Sequence, residues 1–468
     1  MITINPNIFK SYDIRGLWPS DINEKNIDLI TKAILSFLIK YLKKEKILLV
    51  LGRDMRFSSP VIFERMKNVL LSYGITIYDL GLVPTPTVYF SIFRFKADVG
   101  IQISASHNPK DYNGIKIAIR KGKKLIKVGK NTGMTDIKEL ALKNYFLNIN
   151  RLGDGKIIPV KDAIDAEIDA SFFDLKIKNI KKLKIIVDPA NAMGILYFKK
   201  LISKLPVKIE IINEKLDGRF PSHQADPLQF TLWKDLQKKV IIKKADLGMM
   251  IDGDADRVFF IDEKGKIIPA TLTTCLILEK IFALKPKSKV LVDIRYILNV
   301  KKQVEKLGGK LSISPVGHAL ITQQLNDEKA VFAGESSGHY YFKEIGGGES
   351  SIRVILLILQ ILSEKNQPIS QLVKSIQSAF ESGEINFIRD KNISPKEILE
   401  KIAKNYHDGK ISWFDGLSVS YPDWRYNIRA SNTEPLIRLN VEGLSANLVK
   451  DKTDLLVKKI LSLGLKKD

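Results

Sequence analysis

Short apolar runs that stop abruptly at polar, turn-rich loops recur along this chain, and that recurrence limits the fold more than any other feature. Residues 47–51 are apolar and end at Gly52, and residues 99–103 run straight into Ser104-Ala105-Ser106-His107-Asn108-Pro109. Residues 183–187 end in Asp188-Pro189-Ala190-Asn191, and 247–251 in Asp252-Gly253-Asp254-Ala255-Asp256-Arg257. Residues 329–333 end in Gly334-Glu335-Ser336-Ser337-Gly338-His339. Runs this short, bounded by turn residues, read as buried strands. Between them lie stretches with helical spacing. Ile27, Ile30, Ile34, Phe37, Leu38 and Tyr41 share one face over residues 26–44, and Ser58-Ser59-Pro60 opens a helix that Gly74 closes. Alternating buried strands and helices predict α/β units, which bind ligands in the loops beyond the strand C-termini.

Three such units are expected, over residues 1–150, 151–263 and 264–367, with further strands at 75–80 and 290–294. Residues 368–468 differ. Helical spacing at 369–380, 395–406 and 448–463 flanks strand-like runs around 417–421, 426–429 and 436–441, which predicts a small α+β unit. The expected fold class is therefore α/β: three similar α/β domains with mixed sheets plus a C-terminal α+β domain around a central cleft. A length of 468 residues accommodates that many domains.

The 75 basic residues exceed the 52 acidic ones by a net +23, which invites a nucleic-acid or membrane partner. Only 15 of the basic residues are arginine, and lysine pairs such as Lys43-Lys44, Lys181-Lys182 and Lys301-Lys302 alternate with apolar residues as solvated helix faces do. Without a basic stripe carrying stacking aromatics, no nucleic acid is expected as a partner. The longest apolar run, 354–359, is far short of the ~20 residues of a membrane span. The N-terminus shows no basic stretch followed by an apolar one, so no export signal is expected. A single cysteine, Cys275, excludes an intrachain disulfide and suits a reducing, cytoplasmic setting, as a monomer or homodimer.

The loops carry the chemistry. Asp252, Asp254 and Asp256 repel one another unless a cation neutralises them, and hard oxygen donors suit Mg²⁺ or Ca²⁺. The same spacing begins an EF-hand, but Arg257 stands where that loop needs glycine, and the flanks read as strands, which argues against one. A divalent-metal site and a solvated acidic turn are the two open readings. Ser106 is either a nucleophile or phosphate carrier, or the cap of a turn built by Asn108-Pro109. Asn113-Gly114 reads as a turn that presents Lys116 toward this loop as an acid or base, against a plain solvent-exposed lysine. Four of the five histidines, His107, His223, His318 and His339, fall in polar loops, while His407 ends a helix; that placement suits a ligand site. Arg429-Ala430-Ser431-Asn432-Thr433-Glu434-Pro435, followed by Arg438, offers guanidinium forks, hydroxyls and an amide to a phosphate, or forms a polar hairpin turn. Arg53 and Arg56 read as structural ion-pair partners. A Walker A loop, zinc-ligand spacing and a Gly-x-Ser-x-Gly elbow are all missing from the sequence.

Taken in series, from Tyr12-Asp13-Ile14-Arg15-Gly16 to the loop at 429–435, these motifs resemble the α-D-phosphohexomutase superfamily, and within it the phosphomannomutase/phosphoglucomutase group. The resemblance implies interconversion of hexose 1-phosphate and hexose 6-phosphate, of mannose, glucose or both. It implies a phosphoserine enzyme and a hexose 1,6-bisphosphate intermediate. Ser106 would carry the phosphoryl group, and its phosphate with Asp252, Asp254 and Asp256 would hold Mg²⁺. Lys116 and Arg15 would flank the transferring group, with Lys116 the acid/base, and His107 would support the serine loop. Tyr12, Arg257, Arg295 and His318 would contact the phosphosugar substrate. Glu335 and Ser337 would grip its hydroxyls, with His339 near the reacting end. Arg429, Ser431, Asn432, Thr433 and Arg438 would hold the distal phosphate. The four units would thus carry a phosphoserine, a metal-binding, a sugar-binding and a phosphate-binding loop in that order.

Several positions depart from the family pattern. Arg295 stands where a lysine is often found, Ser222 where Asn is usual in Phe-Pro-Asn-His, and Ser336 at the variable position of the sugar loop. Gly348-Glu349-Ser350-Ser351 replaces a common Asp-Gly. Ser104-Ala105-Ser106 also suits phosphoglucosamine mutases, but those usually have Gly in place of Asn432; Asn432 and Tyr421-Pro422-Asp423-Trp424 favour the mannose/glucose group. The alternatives are a phosphoglucosamine mutase or a Mg²⁺-dependent phosphatase releasing inorganic phosphate.

Overall fold

Leu49 and Leu51 point to one side of a strand and Val50 to the other, and all three are fully buried. A strand with both faces apolar must sit between two helical layers, and it does. In the computed structural model, which describes residues 4–146, 155–390, 393–431 and 435–468, Leu48–Arg53 lies at the centre of the first sheet. It pairs in parallel with Thr76–Leu82 and Val99–Ile103. Val99–Ile103 pairs antiparallel with Tyr112–Lys121, which in turn pairs with Ile14–Leu17 and Lys124–Lys127. Helices Glu24–Leu42, Ser59–Ser72 and Thr135–Lys143 pack on the Leu49/Leu51 face, and Thr85–Arg94 on the Val50 face. The first of these helices opens on a capping box between Asn23 and Asn26.

The second and third units repeat the plan of parallel strands followed by antiparallel ones. In the second, Leu247–Ile251 and Lys208–Ile211 flank Lys184–Asp188 in parallel, and Val258–Ile261 returns antiparallel. In the third, Lys310–Ser314 and Phe332–Gly334 flank Lys289–Asp293 in parallel, and Tyr340–Phe342 returns antiparallel. The loops that follow Val99–Ile103, Leu247–Ile251 and Phe332–Gly334 are those singled out in the sequence, and all three open toward one cleft. The fourth unit is an antiparallel sheet covered by helices Pro395–Ala403 and Ala446–Ser462. In its strand Trp424–Ala430, Trp424, Tyr426 and Ile428 enter the core, and the alternate residues Arg425, Asn427 and Arg429 face the other way.

Three expectations need correction. Asn113 and Gly114 lie inside strand Tyr112–Lys121 and form no turn. Their sequence suggests a turn, yet the Asn113 amide is buried and donates to Ser58 Oγ at 2.7 Å and Ser59 Oγ at 2.9 Å. A Cβ on Gly114 would lie 2.6 Å from the Ile14 carbonyl oxygen, so glycine serves close strand approach there. The first sheet also runs past the expected seam at 150, since Ile157–Pro159 pairs with Thr76–Leu82; the seam itself falls outside the described residues. Helix Ile369–Ile376, expected to open the fourth unit, buries Ile369 and Leu372 in the core of the preceding ones. That core is continuous: the second and third units share one apolar cluster, whereas the fourth closes its own. Among the described residues, no helix is long and apolar enough to cross a membrane.

Candidate active site

Ser106 follows the fully buried strand Val99–Ile103 and adopts φ 50°, a left-handed conformation that is costly for serine. Arg56 holds it there. Its buried guanidinium spends all five donors: Nε on Asp54 at 3.2 Å, Nη2 on the carbonyls of Ser106 and Asn108 at 2.8 and 2.6 Å, and Nη1 on those of Pro109 and Tyr112 at 2.6 and 2.9 Å. The structural role expected of Arg56 is thus confirmed, and its target is the serine loop. Ser104 Oγ accepts from the Ser106 amide at 2.9 Å, and Arg15 Nη1 donates to Asn108 Oδ1 at 2.7 Å.

The second unit meets this loop directly. Ser106 Oγ donates to Asp252 Oδ2 at 2.8 Å and lies 3.2 Å from His107 Nδ1. Gln224 Nε2 donates to the His107 carbonyl at 2.8 Å. Lys116 Nζ, from the neighbouring strand, donates to Asp254 Oδ2 at 2.6 Å and Asp256 Oδ2 at 2.7 Å. Thr85 adds a hydroxyl to the same Asp254 oxygen. One ligand oxygen from each of the three aspartates lies within 4.8 Å of the others.

The acids sit in opposed electrostatic settings. Burial, then the Asp256 and Asp254 charges, push the Asp252 carboxyl well above the usual carboxylate range. Burial acts the same way on Asp256, but Lys116, His339 and Arg257 outweigh it and hold that carboxyl well below its ordinary value. Burial opposes the charged form of Lys116, yet Asp254 and Asp256 raise its pKa well above the usual lysine value. Asp254 Oδ1 is buried without a protein partner. Hard oxygens gathered this closely, one of them unpartnered, fit Mg²⁺.

The third unit closes the cleft. Arg257 Nε lies 3.2 Å from His339 Nε2, which is 3.3 Å from Asp256 Oδ1; His339 Nδ1 is 2.9 Å from Ser337 Oγ and 3.1 Å from Glu335 Oε2. Burial disfavours a charged His339, but Asp256 outweighs it and the pKa rises to about 9. Tyr341 donates its hydroxyl to Glu335 Oε2 at 2.7 Å. Tyr12 stacks edge-on against His318, with ring centroids 5.1 Å apart. Burial, then Lys127 and Lys116, push His318 well below its usual pKa, and burial with Arg257 and Arg15 does the same to His107.

The fourth unit supplies Arg429, Ser431 and Arg438; Asn432 and Thr433 lie outside the described residues. Arg295 from the third unit donates to Asp293 at 2.8 Å and Glu335 at 3.2 Å, and reaches Glu384 of the fourth at 3.6 Å. Ser106, Lys116, the three aspartates, Arg257, His339, Ser337, Glu335 and Arg295 are thus linked by direct contacts, and Glu384 extends them to Arg429 and Arg438. Sequence reasoning missed Thr85, Gln224 and Glu384. None belongs to a motif, and only tertiary placement reveals them.

Models of the four phosphoglucomutase/phosphomannomutase domains match the chain: alpha/beta/alpha domain I at residues 6–141, domain II at 165–265, domain III at 271–380 and the C-terminal domain at 384–458. A phosphomannomutase of Vibrio cholerae serotype O1 is 34% identical over 467 residues, covering 98% of this chain and 99% of the relative. One from Methanocaldococcus jannaschii is 33% identical over 449 residues, covering 96% of each. A crystal structure of a phosphoglucomutase/phosphomannomutase family protein from Burkholderia thailandensis superposes with a TM-score of 0.87 at 26% identity, over 98% of both chains. Fold, site and likeness define a phosphohexomutase, an isomerase that moves a phosphoryl group within a hexose phosphate. The chain belongs to the phosphoglucomutase/phosphomannomutase family.

Proposed function

We propose that phosphorylated Ser106 donates its phosphoryl group to the free hydroxyl of mannose or glucose phosphate, giving the 1,6-bisphosphate, which turns end for end and returns its other phosphoryl group to Ser106. The observation that carries this is the Ser106 hydroxyl of the first unit hydrogen-bonded at 2.8 Å to the acidic trio of the second. In the forward step the bond from phosphorus to Ser106 Oγ breaks and one to the sugar oxygen forms. The sugar hydroxyl gives up its proton and Ser106 Oγ takes one up. Lys116, charged between Asp254 and Asp256, gives its proton to Ser106 Oγ and, once neutral, takes the one the sugar hydroxyl releases; the reverse step runs the same transfers backward. Asp252, Asp254, Asp256 and the Ser106 phosphate would hold a magnesium ion, which would stabilise the charge on the transferring group. Arg15 braces the serine loop through Asn108, and Arg257 with His339 adds positive charge at the reacting end. Tyr12 and His318 shape the wall beside it.

Glu335 and Ser337 grip the sugar hydroxyls, with Arg295 orienting the Glu335 carboxylate. Arg429, Ser431 and Arg438, together with Asn432 and Thr433, hold the distal phosphate. That clamp meets either end of the sugar in turn, and guanidinium and hydroxyl donors suit a group of constant shape.

Intact mass spectrometry tests the serine. After incubation with glucose 1,6-bisphosphate, the wild-type chain gains one phosphoryl group and Ser106→Ala gains none. Turnover of Ser106→Ala drops by about 10³-fold or more, because it lacks the group carrier. Wild-type-like turnover in Ser106→Ala removes the assignment. Coupled assays with mannose, glucose and glucosamine 1-phosphates run on the same protein; preference for the amino sugar replaces the mannose/glucose reading.

A further inference from the structure

Two arginines of the distal clamp lie in register. Arg429 and Arg438 face each other across neighbouring antiparallel strands. Like charges directly opposite on a sheet destabilise it, so an anion must offset them. Glu384, the residue before strand Ile385–Ile388, does so with both oxygens. Its Oε2 accepts from Arg429 Nη2 at 3.1 Å, and its Oε1 lies 3.4 Å from Arg438 Nη1. The same Oε2 lies 3.6 Å from Arg295 Nη1, and Arg295 Nη2 donates to Glu335 at 3.2 Å. An alternating series, Glu335–Arg295–Glu384–Arg429, therefore runs from the sugar loop of the third unit to the phosphate clamp of the fourth.

A carboxylate beside a site for a dianion weakens the Coulomb attraction for that dianion. Glu384 thus contributes nothing to affinity through its charge. What it supplies is geometry. It anchors one edge of the Arg429 guanidinium, while Arg429 Nε remains buried with no protein partner, a donor left for a ligand. Through Arg295 the same carboxylate links the two grips on a substrate that must be held at both ends.

We propose that Glu384 is a positioning residue, which fixes the clamp arginines and, through Arg295, couples their placement to the sugar-gripping Glu335. The proposal rests on the phosphohexomutase reading of the clamp. Steady-state kinetics of the full-length Glu384→Gln variant, with glucose 1-phosphate and mannose 1-phosphate, test it. KM is expected to rise about tenfold with kcat within about threefold of wild type, since the clamp grips ground and transition states alike. In an Arg429→Ala background the same substitution adds less than the full tenfold, because Glu384 then positions only Arg438 and Arg295. An unchanged or lowered KM, or a full tenfold added in the Arg429→Ala background, overturns the assignment. Glu384→Asp keeps the charge but is too short to span both arginines, so its KM rises several-fold. Should Glu384→Gln fail to fold, Glu384→Asp decides: a wild-type KM overturns the assignment. A wild-type protein without mutase activity sinks the underlying reading and this one with it; an active wild type with an indifferent Glu384 sinks this one alone.

Discussion

Glu167 is a carboxyl buried where the first unit meets the second. Thr87 Oγ1 donates to its Oε2 at 2.6 Å and Tyr197 at 2.8 Å, while Oε1 has no partner. Burial outweighs both hydrogen bonds and raises the pKa from 4.5 to about 7. In the unfolded chain the group ionises near 4.5, so between there and about pH 7 the folded state binds more protons. Stability therefore falls as pH rises through that window and is level above it. Glu167→Gln, which mimics the protonated acid, is expected to remove this fall and to be more stable by about 1–3 kcal/mol at pH 8. Thermal melting of both proteins at pH 5 and pH 8 checks it, and an equal pH dependence in the two contradicts it. Nothing in the sequence marks Glu167, because its property arises from what surrounds it. The acidic trio is legible for the opposite reason: its repulsion is set by spacing within one loop. Ser106 lies between the two cases. Its loop announces a turn, but its nucleophilic setting depends on Arg56 and on Asp252, far away in the chain.

At the level of elements, the serine and aspartate loops meet at a glycine. A Cβ on Gly253 would lie 2.2 Å from the Ser106 carbonyl oxygen and 2.9 Å from its carbon, and backbone cannot yield cheaply. Gly253→Ala is expected to leave the fold intact but part the loops, lowering kcat/KM about 10²-fold, the cost of a displacement near 1 Å at a reacting centre. Activity assays with far-UV circular dichroism as the folding control test this, and wild-type turnover would remove the loop contact from the mechanism. Strands and helices were largely readable from apolar spacing, and the active-site loops from their position after strands. Tyr112–Lys121 escaped because Asn113-Gly114 is the usual signature of a turn. Here the amide is satisfied by two buried serines, and the glycine lets three strands approach. Lys116 consequently reaches the acids from a rigid strand.

Across the whole molecule, the units are joined by different kinds of contact. The first is fastened to the third by a buried ion pair, Lys127 with Glu349, between the rings of Tyr89 and Tyr341, and by the Leu125 amide donating to Gly346 O at 2.9 Å. Glu349 lies in the Gly348-Glu349-Ser350-Ser351 stretch that departs from the family pattern, and here it is the partner of Lys127. Lys127→Met alone strands a buried carboxylate and is expected to cost about 3–5 kcal/mol, whereas the double variant Lys127→Met/Glu349→Leu costs much less. Melting temperatures of the single and double variants decide it; a double variant no better than the single refutes the pairing argument. The second and third units share an apolar core, so sliding one on the other would expose hydrocarbon. The fourth is attached through polar groups: Arg425 donates to the carbonyls of Ile294 and Arg295, and Glu442 accepts the amides of Ile297 and Leu298. Water can replace such bonds at small net cost. Of the seams described, this polar one is the one that would part at least cost. On the proposed mechanism the fourth unit holds the distal phosphate, so its parting would release one end of the sugar while the contact of Ser106 with Asp252, in the first two units, stays aligned.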